Sequence, residues 1–284
     1  MISAPAITYL ATVGITLGVR FSWAFEVIMG LGYVVTISAL AATACTDPGV
    51  VPRERDPADQ EQQGNLAGAL TKEYHVNGRI VKTKYCITCK TYRPPRCSHC
   101  RICDNCVEKF DHHCPWVGTC IGKRNYRFFL LFVASATFQC VLCVSSSIYS
   151  FTLDVCDNPE ESFWNAIGRN IPATVLSIYA FIFFWFVGGL LCFHSYLLCT
   201  NHTTYEHFRA ANNGGRPNPY NVGIAGNCHQ VLCVQYESLL ESPVPSRTNP
   251  LSLQQEAADS ISRPAAEAGA SAAQHNGGSL SAEG

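Results

Sequence analysis

Two late stretches of the chain are long and apolar enough to cross a lipid bilayer, and they constrain the fold more than any other feature. They run from about residue 126 to 153 and from about 171 to 198. A helix that crosses a bilayer needs about 20 predominantly apolar residues. Because lipid offers no partner for backbone N–H and C=O groups, a chain can cross it only as helices or as a closed barrel. The length of these stretches favours helices.

Two further apolar segments lie within residues 1–46. The second, AFEVIMGLGYVVTISALAATA, is typical of a span, whereas the first, ISAPAITYLATVGITLGV, is shorter and contains Pro5. A very short turn around Arg20 separates them. A signal peptide is the alternative for the first segment, but that segment lacks a basic leading region and a clear cleavage site. We therefore predict a polytopic α-helical membrane protein with four transmembrane helices.

The distribution of basic residues predicts the orientation. Of the 20 Lys and Arg residues, 14 lie between Arg53 and Arg127, in the connection between the second and third spans. The connection between the third and fourth spans has one, Arg169. Cytosolic loops carry the excess of Lys and Arg, so residues 47–125 and both termini are expected in the cytosol. The formal net charge of -1 gives no indication of nucleic-acid binding.

Residues 86–120, CITCKTYRPPRCSHCRICDNCVEKFDHHCPWVGTC, contain eight of the sixteen cysteines. A C-x2-C pair places two sulfurs on one tight turn, as structural zinc sites require. Such pairs beside histidines in a reducing compartment favour metal over a disulfide framework. The segment has two separate pairs, and further donors can complete two tetrahedra: Cys86, Cys89, Cys100 and Cys103 form the pairs, with His99, Cys106, His113 and Cys120 beside them.

The number of donors leaves some of them without a structural role. Eight cysteines and three histidines give eleven donors, and two closed zinc sites use eight. Cys114 differs from the others because Asp111 and His112 precede it. Carboxylate, imidazole and thiol are the groups of a nucleophile, its base and the group that orients the base. The alternative is that Cys114 is a zinc ligand and another cysteine is spare.

The resulting organisation has six segments. Residues 52–70 are polar and rich in Pro and Gly, as in a linker, and the end of the chain has the composition of a disordered tail. The predicted segments are 1–46 with the first two helices, 47–85 with a cytosolic linker, 86–125 with the zinc domain, 126–199 with the last two helices and a short luminal loop, 200–241 as a cytosolic element, and 242–284 as the tail.

These motifs resemble those of the DHHC-type protein S-acyltransferases, or palmitoyltransferases. DHHC stands at 111–114 inside the cysteine frame, DPG at 47–49 follows the second span, TTYE at 203–206 follows the fourth, and NPYNVGIAGN at 218–227 is similar to the C-terminal element of the family. The resemblance extends over about residues 1–230. It implies the same fold, with four helices and a cytosolic two-zinc domain between helices 2 and 3.

The resemblance also implies roles for individual residues. Cys114 is the acyl-accepting nucleophile, His112 its base, and Asp111 the group that orients His112. Thr204 is expected to contact Asp111 or, alternatively, to cap a helix, and Asn227 to tie backbone segments together. One zinc is assigned to Cys86, Cys89, His99 and Cys106, and the other to Cys100, Cys103, His113 and Cys120; Cys97 has no role.

The chemistry that the resemblance implies has two steps: Cys114 takes a long-chain acyl group from acyl-CoA, the co-substrate, and a substrate cysteine then takes it from Cys114. Arg93 and Arg96 are expected to meet the CoA phosphates, and Trp116 to lie near the acyl group. The expected partners are cysteine-bearing membrane-associated proteins, the lipid bilayer and, as an option, an accessory subunit, but no nucleic acid. The expected location is the Golgi or ER, with the plasma membrane as an alternative.

The competing interpretation is a membrane-anchored zinc adaptor or ubiquitin ligase without acyl chemistry. Two polar groups within the apolar stretches, Gln139 and His194, are weaker functional candidates. Gln139 either faces a cavity for the acyl chain or binds another helix.

Overall fold

Three long helices form the core of the protein, which is described here from a computed structural model for residues 3–20, 22–53, 71–210 and 218–233. They are α3 (Ala24–Cys45), α4 (Tyr126–Asp157) and α6 (Ile171–Thr200), each long and apolar enough to cross a membrane. The central helix, α4, packs against both α3 and α6. The chain is therefore an integral membrane protein. Most of the predicted linker and the whole predicted tail lie outside the described residues.

The predicted first span takes a less regular form. It consists of α1 (Ser3–Tyr9), a π-helical turn (Leu10–Gly14) and α2 (Ile15–Arg20), which follow one another without a break. This run is not among the three candidate spans, so the fourth span remains a prediction. The run packs against α3, α4 and α6, and the Tyr9 hydroxyl donates to Ser146 Oγ at 2.9 Å.

A polar contact joins the second and third long apolar segments inside the helical core. Gln139 Nε2 donates to the Met29 carbonyl oxygen at 3.0 Å. Gly32 permits this approach, because a Cβ at that position would lie 2.5 Å from the same nitrogen. Of the two roles considered for Gln139, the structure therefore shows the bond to another helix.

The cysteine-rich domain follows α3 and consists of short antiparallel strands. β1 (Thr71–Val76), β2 (Arg79–Cys86) and β3 (Thr91–Tyr92) form one sheet. Two hairpins follow, β4 (Ser98–Cys100) with β5 (Asn105–Val107) and β6 (His112–Cys114) with β7 (Thr119–Ile121). Between α4 and α6 lies α5 (Phe163–Arg169), and beyond α6 lie α7 (Thr204–Ala210) and α8 (Ile224–Leu232).

The DPG motif attaches this domain to the end of α3. Asp47 Oδ1 accepts hydrogen bonds of 2.9 Å from the backbone N–H groups of Gly49 and Val50, and Asp47 also pairs with the buried Arg124 at 2.7 Å. Gly49 has φ +108°, a conformation that glycine adopts without strain. The turn thereby presents its backbone to the cysteine-rich domain, where the Glu108 N–H donates to the Gly49 carbonyl oxygen at 2.8 Å.

Asn125 joins three parts of the structure at one fully buried side chain. Its amide donates to the Thr43 carbonyl oxygen in α3 at 3.1 Å and to the Cys120 carbonyl oxygen in β7 at 2.9 Å. Its Oδ1 accepts from the Gly122 N–H at 2.9 Å. Because Asn125 immediately precedes α4, these bonds set the position of the cysteine-rich domain on the ends of two spans.

Replacing Asn125 by alanine should destabilise the protein by about 2 kcal/mol or more, since each buried group left without a partner costs about 1–3 kcal/mol. The measurement is equilibrium unfolding in detergent. Asn165→Ala, at an exposed position in α5, is the matched control and should change stability by less than about 0.5 kcal/mol. Equal effects of the two substitutions would contradict the role given to Asn125.

Candidate active site

The cysteine-rich domain brings its donors into two separate clusters of four, Cys86, Cys89, His99 and Cys106 in the first and Cys100, Cys103, His113 and Cys120 in the second. In each cluster the donor atoms lie within 4.8 Å of one another. Most of these side chains are buried. The clusters contain the two ligand sets that the family resemblance implied.

Both clusters are built in the same way. A C-x2-C turn supplies two thiols, and a hairpin supplies a histidine directly across from a cysteine, His99 opposite Cys106 and His113 opposite Cys120. The first ligand set recurs in the sequence with an offset of 14 residues, so that Cys86 corresponds to Cys100. Sequence reasoning missed this repeat, although the constant difference of 14 between corresponding donors is enough to reveal it.

The donor sets fit a tetrahedral zinc. Zn–S bonds of about 2.3 Å and Zn–N bonds of about 2.0 Å place sulfur and nitrogen about 3.5 Å apart, and the His113 Nδ1 to Cys103 Sγ distance is 3.3 Å. Burial and the neighbouring Cys106 raise the pKa of Cys89 to about 12, so this thiol would be ionised at neutral pH only beside a cation. His99 Nε2 lies 3.5 Å from Asp104, and carboxylates orient metal-binding histidines in this way.

Strand β6 places His113, of the second donor cluster, on the opposite face from its neighbours His112 and Cys114. Side chains alternate between the faces of a strand, so His112 and Cys114 share one face while His113 points to the other. Backbone pairing with β7 maintains this register, with His112 opposite Ile121 and Cys114 opposite Thr119. A metal bound by His113 would therefore anchor the strand without engaging either neighbour.

Asp111 and His112 form a close pair. His112 Nδ1 lies 2.6 Å from Asp111 Oδ2, and the carboxylate is buried. Thr204 donates to the same carboxylate twice, from its backbone N–H to Oδ1 and from its hydroxyl to Oδ2, each at 2.8 Å. This carboxylate can therefore fix the tautomer and the orientation of the imidazole, because Nδ1 carries the proton that Asp111 accepts.

The ionisation of His112 and Cys114 is coupled. Burial alone would lower the pKa of His112, but the hydrogen bonds to Asp111 and Cys114 raise it to about 9. Burial alone would raise the pKa of the Cys114 thiol, but the hydrogen bond to His112 and the backbone N–H groups of Val117 and Trp116 hold it below its usual value. The pair therefore favours thiolate and imidazolium at neutral pH, as an activated cysteine requires.

The turn after Cys114 has the geometry of the metal-binding turns. Cys100 receives backbone N–H groups from the residues two and three positions later, Ile102 and Cys103, and Cys114 receives them from Trp116 and Val117. In the 14-residue pattern Cys114 corresponds to Cys100, and Val117 stands where the second thiol would be. Cys114 therefore has the backbone donors of a zinc-binding turn without the second cysteine.

The TTYE motif connects this site to the end of α6. Thr203 and Glu206 form a capping box: the Thr203 N–H donates to the Glu206 carboxylate at 2.9 Å, and the Glu206 N–H to the Thr203 hydroxyl at 3.1 Å. The Glu206 carboxylate also pairs with Arg96 at 2.6 Å. Because Thr203 caps α7, the adjacent Thr204 is free to bind Asp111.

The remaining predicted site residues, two arginines, a tryptophan and an asparagine, differ in burial and in hydrogen-bond partners. Arg96 binds the side chain and the carbonyl oxygen of Asn201 in addition to Glu206, and Arg93 forms a hydrogen bond to Cys86. Trp116 is 72% exposed. Asn227 is fully buried and donates to the Cys199 carbonyl oxygen at 2.7 Å, which ties α8 to α6.

Sequence reasoning gave no role to several residues that complete the site. Asn201, in a left-handed conformation at the end of α6, binds Arg96 and donates to the Tyr220 carbonyl oxygen at 2.7 Å. Phe129 packs edge-on against the His112 ring, with centroids 5.4 Å apart. Apolar side chains of α4 and α8 surround Cys114, among them Tyr126, Phe129, Leu130, Val133 and Val231.

A buried carboxylate, a partly buried imidazole and a buried thiol thus lie together where the two-cluster cysteine-rich domain meets the helices. The family profile described as DHHC palmitoyltransferase matches residues 80–211. Residues 80–211 therefore form a DHHC-type domain.

Curated relatives agree with this assignment. Protein S-acyltransferase 8 of Arabidopsis thaliana is 41% identical over 266 residues, which cover 88% of this chain and 63% of the relative. Probable protein S-acyltransferase 7 of the same plant is 48% identical over 199 residues, 66% of this chain and 44% of the relative. The human Palmitoyltransferase ZDHHC14 is 41% identical over 237 residues, which cover 76% of this chain and 47% of the relative. The chain thus spans less than two thirds of the length of each of these relatives.

The coupling of Asp111, His112 and Cys114 predicts a pH effect. Asp111→Asn removes the carboxylate that raises the pKa of His112, so the imidazolium that keeps the pKa of Cys114 low is lost near neutrality. The rate at which iodoacetamide alkylates Cys114, followed by mass spectrometry, should rise with pH in both proteins. In Asp111→Asn the midpoint of that rise should lie about one pH unit or more higher than in the wild type.

Asp157→Asn, near the opposite end of α4, is the matched control and should leave the Cys114 curve in place. An unchanged midpoint in Asp111→Asn would show that the carboxylate does not govern the thiolate.

The two donor clusters predict the zinc content. The purified protein should contain two zinc ions per chain, and Cys103→Ser should lower this number by about one because a closed site needs four ligands. The measurement is elemental analysis by mass spectrometry. Cys114→Ser, the same substitution one strand away, should retain two, and loss of zinc from it would make Cys114 a ligand instead.

Proposed function

We propose that this chain is a protein S-acyltransferase that moves a long-chain acyl group, typified by palmitoyl, from acyl-CoA through an acyl-Cys114 intermediate to cysteines of membrane-associated proteins. The observation that carries the proposal is the thiol of Cys114 beside the His112–Asp111 pair. The match to the DHHC palmitoyltransferase profile and the names of the relatives support the same reaction.

In the first step, the Cys114 thiolate attacks the thioester carbonyl carbon of acyl-CoA. The sulfur–acyl bond to CoA breaks, and the CoA thiolate leaves and takes a proton from the His112 imidazolium. In the second step, neutral His112 accepts the proton of a substrate cysteine thiol, whose sulfur attacks acyl-Cys114 and releases the Cys114 thiolate. One thioester replaces another in each step, so the protein contributes mainly positioning and thiol activation.

The surroundings of Cys114 fit an acyl substrate. The thiol lies in an apolar cluster with the first turns of α4, and Leu190 and Leu191 of α6 pack against that cluster. An acyl chain placed between these helices would be stabilised by about 0.8 kcal/mol per buried methylene. The exposed Trp116, two residues after the nucleophile, is proposed to cover the acyl group at the membrane surface.

The two zinc ions are proposed as structural: they would hold the hairpins and thereby the β6 register, and they supply no chemistry to the transfer. Arg96 is engaged by Glu206 and Asn201, so we propose that it positions the TTYE segment rather than the CoA phosphates. Arg93 keeps its proposed role toward CoA. An accessory subunit is compatible with this scheme but is not required by it.

We further propose four spans with the cysteine-rich domain and both termini in the cytosol. Arg20, which ends α2, pairs with Asp157 at the end of α4 at 2.6 Å. The turn after the first helical run thus lies beside the loop between α4 and α6, as expected if residues 3–20 cross the bilayer antiparallel to α3. Loops rich in Lys and Arg face the cytosol. The proposed location is the Golgi or ER, with the plasma membrane as the alternative.

The reaction can be tested with purified protein in detergent and a labelled palmitoyl-CoA analogue. Wild-type protein should form an adduct that hydroxylamine removes, because a thioester links the label to Cys114. Cys114→Ser should form none, although it differs by one atom and should keep its zinc. The adduct is measured by in-gel fluorescence and located by peptide mass spectrometry.

The matched control is Cys97→Ser, which changes a cysteine outside both donor sets and should leave the labelling intact. Equal labelling of Cys114→Ser would assign the nucleophile elsewhere. Folded, zinc-loaded wild-type protein without any adduct would favour a zinc-binding adaptor or ubiquitin ligase.

A further inference from the structure

A buried histidine of α6 lies directly behind the catalytic pair. His194 is 2% exposed, and polar side chains at such positions in membrane helices need a partner. Its Nδ1 lies 3.0 Å from the hydroxyl of Tyr126, the first residue of α4, which is itself buried. The bond therefore joins two different spans at the level of the active site.

The same imidazole approaches His112 and Asp111. One ring nitrogen of His194, one of His112 and a carboxylate oxygen of Asp111 lie within 4.8 Å of one another. The two imidazole centroids are 6.0 Å apart, and Phe129 packs edge-on against both, at 5.0 Å from His194 and 5.4 Å from His112. His194 and Phe129 together form the wall on which the His112 ring rests.

The three polar residues could also suit a metal ion, but their contacts argue against one. The Asp111 carboxylate already accepts from His112 and twice from Thr204. One nitrogen of His194 is bound to Tyr126. A metal would have to displace several of these hydrogen bonds, so the arrangement is better explained as a hydrogen-bonded and packed unit.

We propose that Tyr126 and His194 act together as positioning residues for His112. Neither contacts the reacting atoms in this scheme. Their bond holds the His194 ring, and that ring with Phe129 keeps His112 turned so that Nδ1 faces Asp111 and the other nitrogen faces Cys114. The inference rests on the proposed acyl transfer. It adds that the orientation of the base depends on the packing of α4 against α6.

The pair explains a contrast along α6. Between Ile171 and Thr200, His194 is the only residue with an ionisable basic side chain, and it lies at the end of the helix that contacts the cysteine-rich domain. A residue needed only to fill space there could be apolar, as the neighbouring Leu190, Leu191 and Leu197 are. A nitrogen-bearing ring costs more to bury and is expected where its hydrogen bond has a use.

The test is the rate of Cys114 acylation in two variants that remove single polar groups and retain a ring, His194→Phe and Tyr126→Phe. The rate constant at saturating palmitoyl-CoA analogue should fall about tenfold in His194→Phe and about threefold to fivefold in Tyr126→Phe, part of the roughly 10²–10⁴-fold that a positioned base contributes. The half-saturating concentration should stay within about twofold of wild type, because neither residue is proposed to bind the acyl donor.

Three comparisons separate positioning from general stability. In the double variant the losses should not multiply, since residues that act as a unit are not additive. His194→Asn, whose amide can bind the Tyr126 hydroxyl, should recover part of the rate lost in His194→Phe. Leu176→Ala, in the other half of α6, should lower the unfolding temperature but keep the acylation rate within about twofold of wild type.

Several outcomes would overturn the proposal. A wild-type acylation rate in folded His194→Phe would contradict the positioning role. A raised half-saturating concentration of the palmitoyl-CoA analogue with an unchanged maximal rate would also contradict it, because these residues would then belong to the binding site of the acyl donor. Multiplying losses in the double variant would show two independent effects. Absence of labelling in zinc-loaded wild-type protein would overturn the acyl transfer itself, and with it this inference, and is distinguished because it needs no variant.

Discussion

The Asp111 carboxylate is the contact on which the arrangement of the site depends. It accepts from His112 in the cysteine-rich domain and from the backbone and hydroxyl of Thr204 beyond the end of α6. A buried carboxylate needs such donors to remain ionised. The Asp111 carboxylate that orients the imidazole therefore also attaches the cysteine-rich domain to the segment after α6. The orientation of His112 thus depends on the docking of that segment.

Around this contact, several polar side chains fix segments that are distant in sequence. Asn125 attaches β7 to α3, Asn201 and Glu206 hold Arg96, and Asn227 holds α8 against α6. All of them lie where helices end and backbone groups lack partners within the helix. The ends of the spans beside the cysteine-rich domain thus have their free backbone groups bound by side-chain amides and carboxylates.

The parts of this structure that could be read from the sequence are those with a regular spacing. Long apolar runs identify α3, α4 and α6, and paired cysteines identify the donor clusters, because membrane thickness and tetrahedral coordination impose fixed lengths. The first helical run was harder to judge, because it is shorter and contains a π-helical turn. The Asn125 and Asn201 contacts could not be read at all, since an asparagine at a helix end looks like an ordinary cap.

His194 and Arg96 illustrate the same limit for function. A histidine near the end of an apolar helix gives no sign of its neighbours, and only the packing of α6 on α4 places it beside His112. Arg96 was expected to face the CoA phosphates only because the family resemblance implied it. Its partners, Asn201 and Glu206, are more than 100 residues away, so spacing along the chain could not reveal them.

The backbone turn at Cys114 has a consequence for metal selectivity. The proposal of two zinc sites requires that the domain leave one further thiolate, that of Cys114, unmetallated only a strand away. Val117 in place of a second cysteine removes one of the soft ligands that such a turn would otherwise offer. The turn itself favours a thiolate at both Cys100 and Cys114. The residue three positions later, Cys103 in one turn and Val117 in the other, therefore decides whether the turn offers a metal one sulfur or two.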